Sequence, residues 1–141
     1  MRLSTVFALS LALLAPAAVA APPANDHPIL GIWLLSLPDG SCAEIYRFRG
    51  DGTSFVTSAD EVSESEFNIP AKPDASGFYK LEDHIVKGNG KKDCGGSVTK
   101  IGTRATHFVQ FHPSGSLFVM CIKESLDACI GPFLRMPGRE S

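Results

Sequence analysis

The stretch GIWLLSLPDGSC, residues 31–42, carries the clearest indication of the fold. It holds the only tryptophan of the chain and the first of its four cysteines. GIWLLS is apolar, and the LPDG that follows carries a proline and a glycine suited to a turn, which predicts a strand that ends in a turn. A glycine lets a neighbouring backbone approach closely, and a tryptophan two residues later lies on the same strand face. Gly31 and Trp33 are therefore predicted to seal one end of a β-barrel.

Short strand-like segments separated by turn signals continue to the end of the chain. Eight to ten such segments, with a turn signal about every 8–12 residues, predict an all-β fold, either a sandwich or a closed antiparallel barrel. Only ADEVSESEF, residues 59–67, has some helical character, and its serines argue against a helix. The predicted segments after the first strand are CAEIYRFR, TSFVTS, EFNI, GFYKL, HIVKG, SVTKI, THFVQF, SLFVMCI and GPFLRM.

Residues 1–20 have the organisation of a signal peptide. Met1-Arg2 is a positive start, Leu3 to Leu14 is an apolar run, and Ala18-Val19-Ala20 is a cleavage site before Ala21. The run is shorter than the roughly 20 apolar residues that span a bilayer. We therefore expect a periplasmic or secreted protein without a membrane span.

The mature chain is long enough for one domain. We divide it into an N-terminal arm at 21–28, a β-barrel domain at 29–136 and a C-terminal tail at 137–141. The net charge of the whole chain is −2 and the basic residues are scattered, so no nucleic-acid partner is predicted. We expect a monomer.

Four cysteines in an exported chain predict two disulfides, for which three pairings exist. We favour Cys42 with Cys94 and Cys121 with Cys129, because the second pair flanks a segment short enough to be closed by a hairpin. In the chain-entropy model the long bridge contributes about 4 kcal/mol and the short one about 2.5 kcal/mol. No C-x-x-C or H-x-x-x-H spacing predicts a zinc site.

Gly31-Ile32-Trp33 on a first strand resembles the G-x-W signature of the lipocalins and the wider calycin group. The resemblance implies a lipocalin-like antiparallel barrel, stapled here by disulfides. It also implies a basic residue near the last strand that packs on the tryptophan ring. Arg135 is the matching residue, and its contact would be a cation–π interaction.

The chain also resembles small periplasmic inhibitors of bacterial metalloproteases, which are eight-stranded barrels with G-x-W on the first strand and a cysteine soon after it. Gly31, Trp33 and Cys42 match that layout. In that family an extended N-terminal arm enters the protease cleft. The resemblance implies the same role for APPANDHP, residues 21–28.

No sequence motif points to an enzyme or to a cofactor. G-x-S-x-G, H-E-x-x-H and P-loop motifs are absent. Asp83 and His84 are adjacent on a predicted strand and would point to opposite faces. We interpret Glu61, Glu64 and Glu66 as a solvated face, and the four histidines, His27, His84, His107 and His112, as surface or turn residues.

Glu44, Tyr46 and Phe48 share one face of the second strand by the period of two. A carboxylate on an aromatic face is costly unless it is paired. Glu44 either reaches solvent or Arg135 at a strand edge, or anchors a ligand inside the barrel. We take Glu44, Tyr46, Phe48 and Phe108 as the possible ligand-binding residues.

These observations predict an exported, non-catalytic binding module that recognises a protein partner or a modest small ligand through one end of the barrel. We expect a largely filled barrel with at most a shallow pocket, and recognition through the loops LPDGS, PAKPDASG and HPSG. Two alternatives are an inhibitor of an exported hydrolase or protease and a carrier of a small apolar ligand.

Overall fold

The computed structural model describes residues 21–138, so the predicted signal peptide and the last residues of the tail, 139–141, lie outside the described part of the chain. Residues 21–138 form eight strands that close into an antiparallel barrel, which confirms the all-β prediction and excludes the sandwich. The strands are β1 Gly31–Ser36, β2 Ala43–Phe48, β3 Thr53–Ser58, β4 Glu61–Asn68, β5 Tyr79–Gly88, β6 Arg104–Phe111, β7 Leu117–Cys121 and β8 Cys129–Arg135. A 3-10 turn spans Leu126–Ala128, and among residues 21–138 no helix is long and apolar enough to cross a membrane.

Each strand pairs with the next, and β1 closes the barrel on β8 through the pairs Trp33–Arg135 and Leu34–Leu134. This up-and-down order places successive connections at alternate ends of the barrel. We call one end the mouth; its connections are 37–42, 59–60, 89–103 and 122–128. We call the other end the base; its connections are 49–52, 69–78 and 112–116, together with residues 21–30.

Three details of the strand prediction are wrong. ADEVSESEF and EFNI belong to a single strand, β4, whose residues alternate between buried and more exposed positions, as expected for a period of two. GFYKL and HIVKG are likewise parts of one strand, β5, because the residues between them also pair with β4 and β6. SVTKI is not a strand: its only β-type pairing within residues 21–138 is an isolated bridge between Lys92 and Val98, inside the loop 89–103.

Trp33 lies at the centre of the base and is completely buried. Its Nε1–H donates to the carbonyl of Ile29 at 2.7 Å, and its ring meets Phe118 edge-on at 4.6 Å between centroids. Arg135 Cζ lies 4.1 Å from the centroid of the Trp33 ring. The Arg135 guanidinium also donates to three backbone carbonyls, those of Pro28, Leu30 and Gly115. The indole and the arginine therefore close the base together.

Gly31 is required beside this arginine for two reasons. Its φ is +122°, a region that side chains rarely adopt, and an added Cβ would lie 3.1 Å from Arg135 Nη1. The glycine thus leaves room for the guanidinium to reach the tryptophan ring.

The segment 21–28 packs on the barrel. His27 is only 4% exposed. Its Nδ1 accepts from the Ile29 amide at 3.1 Å, so its Nε2 carries the proton and donates to the carbonyl of Pro70 at 3.1 Å. Burial lowers the pKa of His27. The interpretation of His27 as a surface residue is therefore wrong, and the predicted arm forms part of the closed base.

Both predicted disulfides are confirmed. Cys42–Cys94 joins residues 52 positions apart and links two mouth loops, 37–42 and 89–103. Cys121–Cys129 joins residues 8 positions apart and links the end of β7 to the start of β8. Both bridges therefore hold the mouth, whereas the base is held by packing around Trp33.

Candidate functional site

The interior of the barrel is filled near the base and hollow near the mouth. The large buried side chains Trp33, Phe118, Phe133 and Ile29 occupy the base half. Above them a cavity of about 250 Å³ opens at the mouth. This cavity is larger and more polar than the shallow pocket expected from the sequence.

The cavity exists because β3 and β4 carry serines at inward positions. Four buried serines line it, and each is too small to reach the opposite wall; they are Ser54, Ser58, Ser63 and Ser65. The pairs Ser54–Ser65 and Val56–Ser63 place these residues side by side across the two strands. Leu81 and Ile85 on the neighbouring strand β5, where Ile85 pairs with Ser65, and Met120 on β7 give an apolar wall. The result is a half-polar, half-apolar chamber rather than a packed core.

Glu44 stands inside this chamber near the mouth. The Tyr46 hydroxyl donates to Glu44 Oε2 at 2.6 Å, and the Ser58 hydroxyl donates to Oε1 at 2.7 Å. Burial, followed by the hydrogen bond to Glu44, raises the pKa of Tyr46 well above its ordinary range, so the phenol stays a donor. Of the two sequence interpretations, the one with a polar group inside the barrel fits, because Arg135 lies at the opposite end.

Glu61 is the least satisfied group of the site. It is only 5% exposed, and its Oε1 has no hydrogen-bond partner among the residues that the structure describes. The interpretation of Glu61 with Glu64 and Glu66 as a solvated face is therefore wrong for Glu61. Successive side chains of a strand point to opposite faces, so residues three positions apart also face opposite ways. Glu61 faces inward, whereas Glu64 faces outward and accepts a hydrogen bond from Lys87 Nζ at 3.0 Å.

Asp83 and His107 complete the polar lining further down. Ser65 donates to Asp83 Oδ2 at 3.2 Å, and burial is the main cause that raises the pKa of Asp83. Burial also lowers the pKa of His107, against the opposing effect of the Asp83 charge. His107 therefore favours the neutral form, and it is not the surface residue that we expected.

The long loop 89–103 forms one side of the mouth. Its Cys94 amide donates to Ser58 Oγ at 2.9 Å, next to the disulfide with Cys42. Asp93 lines the cavity, but its Oδ1 accepts from the Gly95 and Ser97 amides of the same loop, at 2.9 and 2.8 Å. The loop is thus fixed in place over the polar wall by covalent and hydrogen bonds.

Apolar side chains are exposed on the same side of the mouth. Val98 and Ile101 on loop 89–103 are 51% and 57% exposed, and Ile122 and Leu126 on loop 122–128 are 77% and 65% exposed. Ile130, 54% exposed, also lines the cavity. We call these five residues the apolar rim. The two loops are successive around the mouth, since only β6 and β7 separate them.

Of the residues predicted to bind a ligand, Glu44, Tyr46 and Phe48 line the cavity, whereas Phe108 does not. His107 and Val109 point inward, so Phe108 lies on the outer face, in register with Lys80 and Cys121. The three loops named as one recognition surface are also separated. LPDGS lies at the mouth, whereas PAKPDASG and HPSG connect strands at the base.

Sequence reasoning missed Glu61, Asp83 and His107, although the alternation of residues 61–67 in β4 carried the signal for Glu61. These groups converge on the cavity together with Glu44. Within residues 21–138, no group of three or more His, Cys, Asp or Glu side chains is arranged to hold a metal ion. The site can therefore offer carboxylate acceptors, hydroxyls and an apolar wall to a bound molecule.

Comparisons with protein-family models, with curated proteins and with solved structures returned no match for this chain. The eight-stranded closed antiparallel barrel with two disulfides is consistent with a small barrel fold.

Proposed function

We propose that this protein is an exported, non-catalytic binding module that takes a small ligand into the barrel through the mouth. The observation that carries the proposal is the open cavity with the buried Glu61 carboxylate on its wall, whose Oε1 has no partner among residues 21–138. A buried polar atom without a partner is costly unless something else completes its hydrogen bonds. A ligand in the cavity would do so.

The size and lining of the cavity favour a modest ligand over a lipid. Its volume of about 250 Å³ is below the range of about 300–1,000 Å³ typical of pockets for drug-sized molecules. An apolar carrier is disfavoured, because an apolar ligand would leave Glu61 Oε1 without a donor. The apolar wall of Leu81, Ile85 and Met120 suits the carbon skeleton of a mixed ligand.

Export is supported by the N-terminal pattern of residues 1–20 and by the use of all four cysteines in disulfides, which persist in oxidising compartments. A non-catalytic role is supported by the partners of the polar groups. Glu44 is bound by a tyrosine and a serine, Asp83 by a serine, and no cysteine is free as a nucleophile.

The small-ligand proposal is tested by a substitution that fills the cavity with a larger side chain. Ser63→Leu places a larger side chain on the inner wall, and Ser36→Leu makes the same change at an exposed position of β1 as a control. A library of small polar and apolar fragments is screened by amide chemical shifts. We expect fragments that shift cavity residues in the wild type and in Ser36→Leu, and lose those shifts in Ser63→Leu. No cavity shift with any fragment at millimolar concentration would overturn the proposal.

The apolar rim favours a second candidate, recognition of a protein such as an exported hydrolase. Exposed apolar side chains that cluster on one face are a frequent feature of protein-binding surfaces. The rim would make this contact, because hydrogen bonds hold His27 and Pro28, at the end of the predicted arm, against the base. The test is capture of a partner from periplasmic extract by the wild type, its loss with Ile122→Ser/Leu126→Ser, and its retention with Val62→Ser, a change at an exposed position of β4.

A further inference from the structure

We propose that the ligand of the cavity carries a small organic cation, an alkylammonium group, and that Glu61 is the carboxylate that binds it. The inference rests on the proposed small-ligand function and specifies the chemistry of the ligand. It follows from the unpaired oxygen of Glu61, from the sign of the charges on the cavity wall and from the absence of a metal-binding geometry there.

The hydroxyl donor directly across from Glu61 is already used. Ser58 pairs with Glu61 across β3 and β4. Its single hydroxyl proton points instead to Glu44, and its oxygen accepts from the Cys94 amide. Glu61 Oε1 is therefore left without a hydrogen-bond partner among residues 21–138, and a donor group on a ligand would supply one.

The charges on the cavity wall select the sign of the ligand. Glu44, Glu61 and Asp83 line the cavity, and no lysine or arginine among residues 21–138 does so. The one histidine on the wall, His107, is held towards its neutral form by burial. The remaining carboxylate, Asp93, is bound by the amides of its own loop. An anion would meet like charges that no cation of the wall offsets, whereas an ammonium group would find at least one free acceptor.

The geometry favours an organic cation over a metal ion. Calcium takes about 6–8 oxygen ligands around one point, and no cluster of three acidic, histidine or cysteine side chains meets at one point in the described chain. A space of about 250 Å³ is also far larger than a bare ion. The apolar wall and the rings of Tyr46 and Phe48 give contact surface for the carbon atoms of an amine.

The experiment uses matched probes on the full mature chain. Benzylamine and cadaverine are the cations, and benzyl alcohol and 1,5-pentanediol are their neutral counterparts of similar shape. Affinities are measured by amide chemical shifts and by calorimetry for the wild type, Glu61→Gln and Glu64→Gln. Glu64 lies on the same strand but on its outer face, so its variant is the matched control.

We expect at least one amine to bind the cavity more tightly than its alcohol. We also expect Glu61→Gln to weaken that amine at least about tenfold, as loss of a charge-assisted hydrogen bond would, while Glu64→Gln leaves it unchanged. Independently of any ligand, Glu61→Gln should raise the melting temperature, because it removes a buried carboxylate whose Oε1 has no partner among residues 21–138.

Three results would overturn the inference: alcohols that bind as well as amines, no binding of either amine at millimolar concentration, or an amine affinity that Glu61→Gln does not change. Each of them leaves the small-ligand function standing if other fragments still occupy the cavity. Absence of cavity shifts in the wild type with every fragment of the screen would overturn the small-ligand function itself.

Discussion

The closed base predicts the energetics of Trp33 in detail. Its ring is completely buried, and the bond from Nε1–H to the Ile29 carbonyl is short, at 2.7 Å. Trp33→Ala should cost about 3–5 kcal/mol for the cavity and the lost apolar burial. The upper end is expected because the Ile29 carbonyl loses a buried donor, which is worth about 1 kcal/mol. Loss of the cation–π contact with Arg135 adds less to this cost than the lost burial does, since the Arg135 side chain is exposed and an exposed cation–π contact is worth about 0.5–1 kcal/mol.

Trp33→Phe separates these contributions. It keeps an aromatic ring against Phe118 but removes the Nε1–H donor and part of the ring surface. We expect a loss of about 1–2.5 kcal/mol, the sum of one hydrogen bond and part of the apolar burial. Unfolding in urea, followed by far-UV circular dichroism, measures both variants. A loss below about 0.5 kcal/mol for Trp33→Ala would refute the role of the indole as the seal of the base, because buried large-to-small changes cost several times more.

Three further predictions concern the base and the mouth. Burial lowers the pKa of His27 below 6.5, so as the pH falls the unfolded chain binds a proton at a higher pH than the folded protein does. The free energy of unfolding should therefore be unaffected by His27 above about pH 6.5 and decrease as the pH falls below it. Denaturation from pH 7.5 to 5 should show a smaller slope for His27→Gln, and an unchanged slope would contradict the burial argument. Gly31→Ala should destabilise the protein by about 1–3 kcal/mol, because of its positive φ and the contact with Arg135; a neutral effect in urea denaturation would contradict this. Replacing both cysteines of Cys42–Cys94 by serine should lower the free energy of unfolding by about 4 kcal/mol in the chain-entropy model, measured by urea denaturation. A loss below about 1 kcal/mol would contradict that value and indicate residual structure in the unfolded chain without the disulfide.

The fold class and the two disulfides could be predicted from the sequence. Strand periodicity and turn residues are local properties, so short segments read one by one were enough to predict an all-β fold, and the G-x-W resemblance favoured the barrel over the sandwich. The pattern of four cysteines favoured the pairing that the structure has, because the spacing of Cys121 and Cys129 suits a short loop. Gly31 and Trp33 could be assigned to a sealed end for the same reason, since they are two residues apart on one strand.

Which polar side chains come together in the cavity depends on the tertiary structure. The period of two says that Glu61 and Glu64 face opposite ways, but not which of them faces inward; the pairing of β4 with β3 and β5 decides this. Asp83 and His107 come together because β5 and β6 pair in one particular register. The cavity depends on side-chain sizes summed around the barrel, where small serines on two strands face no bulky residue that fills the space. Such sums over distant segments have no signature in any single stretch of the chain, which is why the site, unlike the fold, could not be predicted from local patterns.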